Sequence, residues 1–257
     1  MAITLTIPST YGCSERLSAA AKRWRFLRRL KRYDQMDFQF AAWQMVNLII
    51  APRKVYRHFV SRKETKNQFA RDDPAFLVLF AGFLCLSSAL MTVMFHHGPV
   101  QFLGYVAGFF KLLAWTVFVD CIGTGLLIAT ALWTLTNHLF RSDLTQDVEW
   151  GYSFDIHLNA AFPFLACIHV VQPLFYENVL NSTNLLSVFL GDTIYLLACS
   201  YYVYITFLGY SSLPYLRNTK RFLTLLPLLL ATYVVCIVMQ WNISRTVVSL
   251  YQSVFAL

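Results

Sequence analysis

The chain is 257 residues long, 57% of them hydrophobic and 13% charged, with a formal net charge of +8. With positive mean hydropathy as well, that composition excludes an ordinary soluble domain and fits a polytopic membrane protein. The charge is uneven: residues 1–74 hold 15 of the 21 Lys and Arg against 6 Asp and Glu.

Residues 1–74 are predicted to form a basic cytosolic region with two amphipathic helices lying on the bilayer. In ERLSAAAKRWRFLRRLKR, residues 15–32, Leu17, Ala20, Trp24 and Leu27 fall at helical spacing with Arg25, Arg28, Arg29, Lys31 and Arg32 around them. That pattern suits a helix on an anionic membrane surface or a docking surface for a cytosolic partner, and the same charges would attract RNA. In DFQFAAWQMVNLII, residues 37–50, Phe38, Ala42, Met45 and Ile49 share one face, with Asp37, Gln44 and Asn47 roughly opposite. The run is too short to cross and is predicted to lie in the interface. At Asp72-Asp73-Pro74 a helix begins, with Asp73 as N-cap and Pro74 at the first helical position.

Beyond this point the apolar residues come in blocks near the roughly 20 residues that cross a hydrocarbon core of about 30 Å. Five spans are predicted, at 75–95, 111–136, 158–176, 185–208 and 222–240, forming an all-α helical bundle over 75–241. Phe102 to Phe110 is apolar but short, and is placed at the interface or as a lead-in to the second span. The positive-inside rule puts the N-terminus, the connection with Arg141 and the connection with Arg217, Lys220 and Arg221 in the cytosol, leaving Lys111 and Arg245 on the far side. Residues 242–257 then form a short lumenal tail. The first 30 residues lack the apolar core of a cleavable signal peptide. Five of the six cysteines fall inside spans, as small packing residues rather than a disulfide framework. Two glycosylation triplets, at Asn181 and Asn242, fall on the far side and abut spans.

Asp120 lies within the second span, where a carboxylate is costly and faces the bundle rather than lipid. Steps of three and four from it give Thr116, Gly123, Thr124, Leu127, Ala131 and Thr134, a narrow stripe of small and polar residues predicted to pack against other helices. At about 1.5 Å per residue, Asp120 sits roughly 13 Å below the far boundary, a depth shared by His169, Asp192 and Ser87 or Ser88. A buried polar cluster of Asp120, His169, Asp192 and Ser88 is therefore predicted. It either holds the helices in register or relays protons or cations as in a small transporter.

Signals for catalysis are weak. His138, Asp155 and His157 lie near one face, yet no metal-ligand spacing links them, and no G-x-S-x-G elbow, phosphate loop or dinucleotide fingerprint occurs. Neither enzymatic activity nor a cofactor is expected. Gly104 and Gly108 fit a helix-packing motif. The stretch DVEWGYSFDIHLNA, residues 147–160, combines Asp147, Glu149 and Asp155 with Trp150, Tyr152 and Phe154. It is a candidate anchor for a protein partner, or for the chain's own basic region.

Five stretches carry a resemblance: QMDFQFAAWQM (35–45), RDDPAFLVL (71–79), DCIGTGLLIAT (120–130), DVEWGYSFDIHLNA (147–160) and YYVYITFLGYSSLPYLRNT (201–219). In order and spacing they closely resemble the uncoordinated-fifty (Unc-fifty) family of Golgi membrane proteins, from about Phe26 to Trp241. The resemblance implies a five-span Golgi protein with a cytosolic N-terminus and a trafficking role rather than a catalytic one. It implies assembly and surface delivery of nicotinic acetylcholine receptors as cargo, and recruitment of Arf guanine-nucleotide exchange factors. It also extends to the endoplasmic reticulum or inner nuclear membrane and to RNA binding. It brings no catalytic residues.

Overall fold

The computed structural model describes residues 36–66, 73–95, 102–142 and 146–256, the side chains of 60–66, 95 and 255–256 excepted. The predicted helix at 15–32, with Arg25, Arg28, Arg29, Lys31 and Arg32, lies outside the described residues, as does Asp72. The described chain is all-α: α1 (Phe38–Ile50), α2 (Pro52–Lys66), α3 (Ala75–Phe95), α4 (Phe102–Phe140), α5 (Trp150–Leu180), α6 (Leu185–Ser211), α7 (Thr219–Val238) and α8 (Ile243–Ala256). Five of these, α3 to α7, are long and apolar enough to span a membrane. The segment from Phe102 to Phe110 is continuous with the second span, making a helix of 39 residues.

Asp73 starts α3 and ties in α1 at once. One carboxylate oxygen accepts from the Ala75 amide at 3.0 Å and the other from the Asp37 amide at 2.9 Å, partners for donors that a helix start leaves over. Pro74 is buried beside it. Helix α1 packs on α3 and α5 with the side that carries Gln44, while Phe38 and Met45 of the predicted apolar face are half-buried against the same core. Ala41, Gln44 and Leu48 are buried, whereas Ala42, Val46, Ile49 and Ile50 are exposed. The Gln44 amide donates to Asn159 Oδ1 at 2.9 Å in the interior. Against a bundle standing in lipid the usual rule inverts, because an apolar face loses nothing by facing acyl chains while a polar group needs a protein partner.

The second span deviates from regular α geometry where Asp120 lies, since Thr116–Gly123 is a π-helical segment. A π turn holds one residue more than an α turn, so the helix changes phase there. From Gly108 to Ala129 the buried positions read Gly108, Leu112, Thr116, Cys121, Gly125 and Ala129: steps of four, one step of five, then steps of four again. The predicted stripe therefore does not continue as one face. Thr116 is buried and Gly123 and Thr124 half-buried, but Leu127, Ala131 and Thr134 are exposed. At Gly123 a Cβ would stand 3.0 Å from the Phe118 carbonyl oxygen, so the close of the π turn favours glycine. Gly125 supplies the close approach to α5, where a Cβ would meet the His157 ring at 2.7 Å and Phe154 at 2.9 Å.

At the end carrying Arg141, Arg217, Lys220 and Arg221, two connections are stitched together. The amide of Arg217 donates to Phe140 O at 2.8 Å and that of Ser142 to Tyr215 O at 3.0 Å. The expected loop of 137–157 is much shorter, because helix runs to Phe140 and resumes at Trp150. At the opposite end residues 242–257, expected as a tail, instead hold α8, packed on α4, α5 and α6 with Val248 and Tyr251 buried. The reversal from α7 is a Schellman motif. Trp241 N–H donates to Cys236 O at 2.9 Å and Gln240 N–H to Ile237 O at 3.0 Å, with Gln240 left-handed at φ 53°.

These contacts predict that Gly125→Leu destabilises the bundle by about 1–3 kcal/mol through overpacking. Gly82→Leu, with open space where the Cβ would stand, should be near neutral. Thermal unfolding of the two purified variants in detergent, followed by size exclusion, checks the contrast.

Candidate functional site

Two of the three ionisable groups expected at matching depth sit on π-helical segments, Asp120 on Thr116–Gly123 and His169 on Cys167–Val171. Such segments redirect side chains and recur at functional sites. His169 Nε2 stands 3.7 Å from Asp120 Oδ2, and the Tyr251 hydroxyl of α8 lies between them. Tyr251 donates to Asp120 Oδ2 at 2.9 Å and meets His169 Nε2 at 3.1 Å. Because its proton goes to the carboxylate, the tyrosine oxygen accepts from the histidine, which places the imidazole proton on Nε2. A hydrogen-bonded chain thus runs from α5 through α8 to α4. His169 is fully buried and its Nδ1 has no partner.

Asp192 is not part of this chain. It is buried on α6, and its Oδ1 accepts from the Ile243 amide at 2.9 Å, one of the free donors at the start of α8. Asn242 completes that start as N-cap, its Oδ1 accepting from the Arg245 amide at 3.0 Å. The Asn242 amide donates to Leu180 O at 3.0 Å and Ser187 Oγ at 3.2 Å. Buried Gln172 adds a second tie, accepting from Tyr195 at 2.9 Å and donating to Ser244 O at 3.2 Å. Ser88 is buried on α3 with its hydroxyl unpartnered, outside both networks.

The region around 147–160 is built into the fold. Asp147 is exposed and pairs with Arg141. Glu149 precedes α5 in extended backbone, and Asp155 is half-buried on that helix. The Trp150 indole donates to Thr130 Oγ1 at 3.1 Å, and the Trp150 ring stacks on Phe154. The Tyr152 hydroxyl reaches Gly209 O at 2.8 Å. Tyr215 is buried at the same end. That burial, and to a lesser degree the Glu149 carboxylate, pushes its hydroxyl above the ordinary tyrosine range. His157 is a core residue, hydrogen bonded through Nδ1 to Tyr202 at 2.7 Å and through Nε2 to Cys121 O at 3.2 Å. Among the described residues no His, Cys, Asp and Glu group is spaced to hold a metal ion.

Sequence reasoning missed Tyr251, Gln172, Tyr195 and Asn242. A signal existed for the first, since Ile243, Val247, Tyr251 and Val254 fall at helical spacing in the stretch treated as a tail. Asn242 stood in view as a glycosylation triplet, while its burial shows an amide consumed by helix capping.

Compared with known proteins, residues 26–252 match the UNC-50 family. The chain belongs to the UNC-50 family. Among its relatives, Protein unc-50 of Caenorhabditis elegans is 49% identical over 244 residues, covering 94% of this chain and 79% of the relative. The unc-50 homologs of Homo sapiens and Danio rerio are 46% and 48% identical, covering 92% and 90% of this chain and 90% and 88% of theirs. None of these UNC-50 relatives bears a name that assigns an enzymatic activity. No solved structure matches the chain.

If Tyr251 locks α8 to the bundle, Tyr251→Phe lowers stability by about 0.6 kcal/mol, typical of an interhelical hydrogen bond in a membrane protein. Asp120→Leu, which strips the chain of its terminal acceptor, should cost more, and Asp120→Asn less than Asp120→Leu. Melting temperatures of the three variants check the order. A separate expectation concerns glycans: Asn242→Gln should destabilise the protein without changing its electrophoretic mobility, because the folded amide is buried and engaged.

Proposed function

We propose that the protein is a Golgi trafficking factor that supports protein transport, including assembly and surface delivery of nicotinic acetylcholine receptors, by recruiting an Arf guanine-nucleotide exchange factor. Its N-terminus is cytosolic and its C-terminus lumenal in this reading. The supporting observation is the UNC-50 assignment over nearly the whole chain. The architecture is compatible with an adaptor. Basic-end connections are hydrogen bonded into a fixed surface, and α2 is held to α6 by Arg53, which donates to the Tyr204 hydroxyl at 2.7 Å. Lys54, Arg57 and His58 are exposed on α2 beside that surface.

A transporter built on Asp120, His169 and Asp192 is the second reading, favoured by an acid and an imidazole 3.7 Å apart at membrane depth. Against it, Asp192 caps α8 and Tyr251 occupies the space between the other two. RNA binding rests on the charge of the basic region and on the family resemblance.

Proximity labelling with the full-length protein in Golgi membranes should recover an Arf exchange factor. Reversing Arg28, Arg29, Lys31 and Arg32 to Glu together with Arg57→Glu should cut that recovery by about tenfold, since rim charges steer association, with protein level unchanged. Recovery of no trafficking protein would sink the adaptor reading. Loss of receptor delivery in a stable Asp120→Asn protein would favour the transporter.

A further inference from the structure

Helices α4 and α7 stand apart along most of their length. Helix α7 packs on α6 and α4 on α5, and the two meet at the basic end, where Phe140 stacks on Phe222 at 5.1 Å. Between them lies a cleft of about 580 Å³, floored by α5 and α6 and roofed at the far end by Val247 and Tyr251 of α8. Its mouth faces the membrane, since Leu228 of α7 lines it while 62% exposed. From Tyr195 to Thr206 on α6 the cleft runs roughly 17 Å at about 1.5 Å per residue.

An apolar space of this size, open sideways to hydrocarbon, is filled by neither water nor vacuum. The polar groups on its wall decide the occupant. Asp120 lines the far end, and its carboxylate has acceptor sites beyond the one used by Tyr251. Near the other end Thr206 is buried, and its Oγ1 has no hydrogen-bond partner. Both groups sit at membrane depth, whereas a phospholipid keeps its polar atoms at the interface and would lay methylenes against Asp120. The fitting ligand carries a small neutral donor on a long hydrocarbon body, and a rigid body loses less conformational entropy on entry than a flexible chain.

We propose that the cleft binds a sterol-type lipid entering sideways from the bilayer, its ring system between α4 and α7 and its hydroxyl donating to Asp120. Val203 and Phe164 line the floor beneath the ring system, and the Tyr251 roof fixes the depth of entry.

The test uses the full-length protein in membranes and a photoactivatable cholesterol analogue. Labelling should be saturable, map to peptides of α4, α6 or α7, and be competed by cholesterol but not by phosphatidylcholine or diacylglycerol. Cholesterol methyl ether, which cannot donate, should compete about tenfold less well, the loss expected when a buried hydrogen bond is removed. Val203→Phe, which fills the cleft, should reduce labelling about tenfold while the protein melts as wild type does. If that variant fails to fold, the methyl-ether comparison decides alone. Non-saturable labelling, equal competition by diacylglycerol, or equal competition by the methyl ether overturns the proposal.

Discussion

A tyrosine hydroxyl standing between an aspartate and a histidine joins three parts of the chain, and the arrangement of the far half of the bundle depends on it. Hydrocarbon offers no partner to a polar group, so one placed there is stabilised chiefly by what the protein supplies. Tyr251 does this for Asp120 and for one nitrogen of His169 together. The donor comes from α8, whose position is in turn fixed by Asp192 and Asn242 at its first turn. The acid and the helix are thus mutually dependent.

The π-helical segment of α4 extends this logic to packing. Without its extra residue, helical phase would carry the inward face from Thr116 toward Ala131. With it, the face passes through Cys121 to Gly125 and Ala129, which lie against α5. One local departure from α geometry sets which residue meets His157 and Phe154, and it leaves Asp120 turned toward α8. The same change of direction leaves Thr124 beside the cleft that separates α4 from α7.

Much of the architecture was legible because its causes are local. Span-length apolar blocks give five long helices, Asp73 and Pro74 give the start of α3, and the pairing of Asp120 with His169 followed from rise per residue. What escaped was set by tertiary context. The π turn has no composition signature in TVFVDCIG, so steps of three and four carried through it misassigned Leu127, Ala131 and Thr134. The orientation of α1 depends on the Asn159 amide 115 residues away from Gln44, which no window around α1 contains. Asp192 was expected to join Asp120 and His169 and instead accepts from the Ile243 amide, because the backbone it caps belongs to a helix read as a tail.

The separation in sequence between Asp120 and Tyr251, 131 residues, also bears on how the protein is made. The second span enters the bilayer while the ribosome has yet to synthesise the residue that will hydrogen bond its carboxylate. Placing an aspartate near the centre of a span costs about 2.5–3.5 kcal/mol at insertion, and throughout the synthesis of three further spans that cost is carried by the apolar length of the helix alone. The 39 residues of α4, twice what a crossing needs, supply that reserve. Assembly therefore has an order built into it, with early insertion tolerating a defect that the last helix repairs.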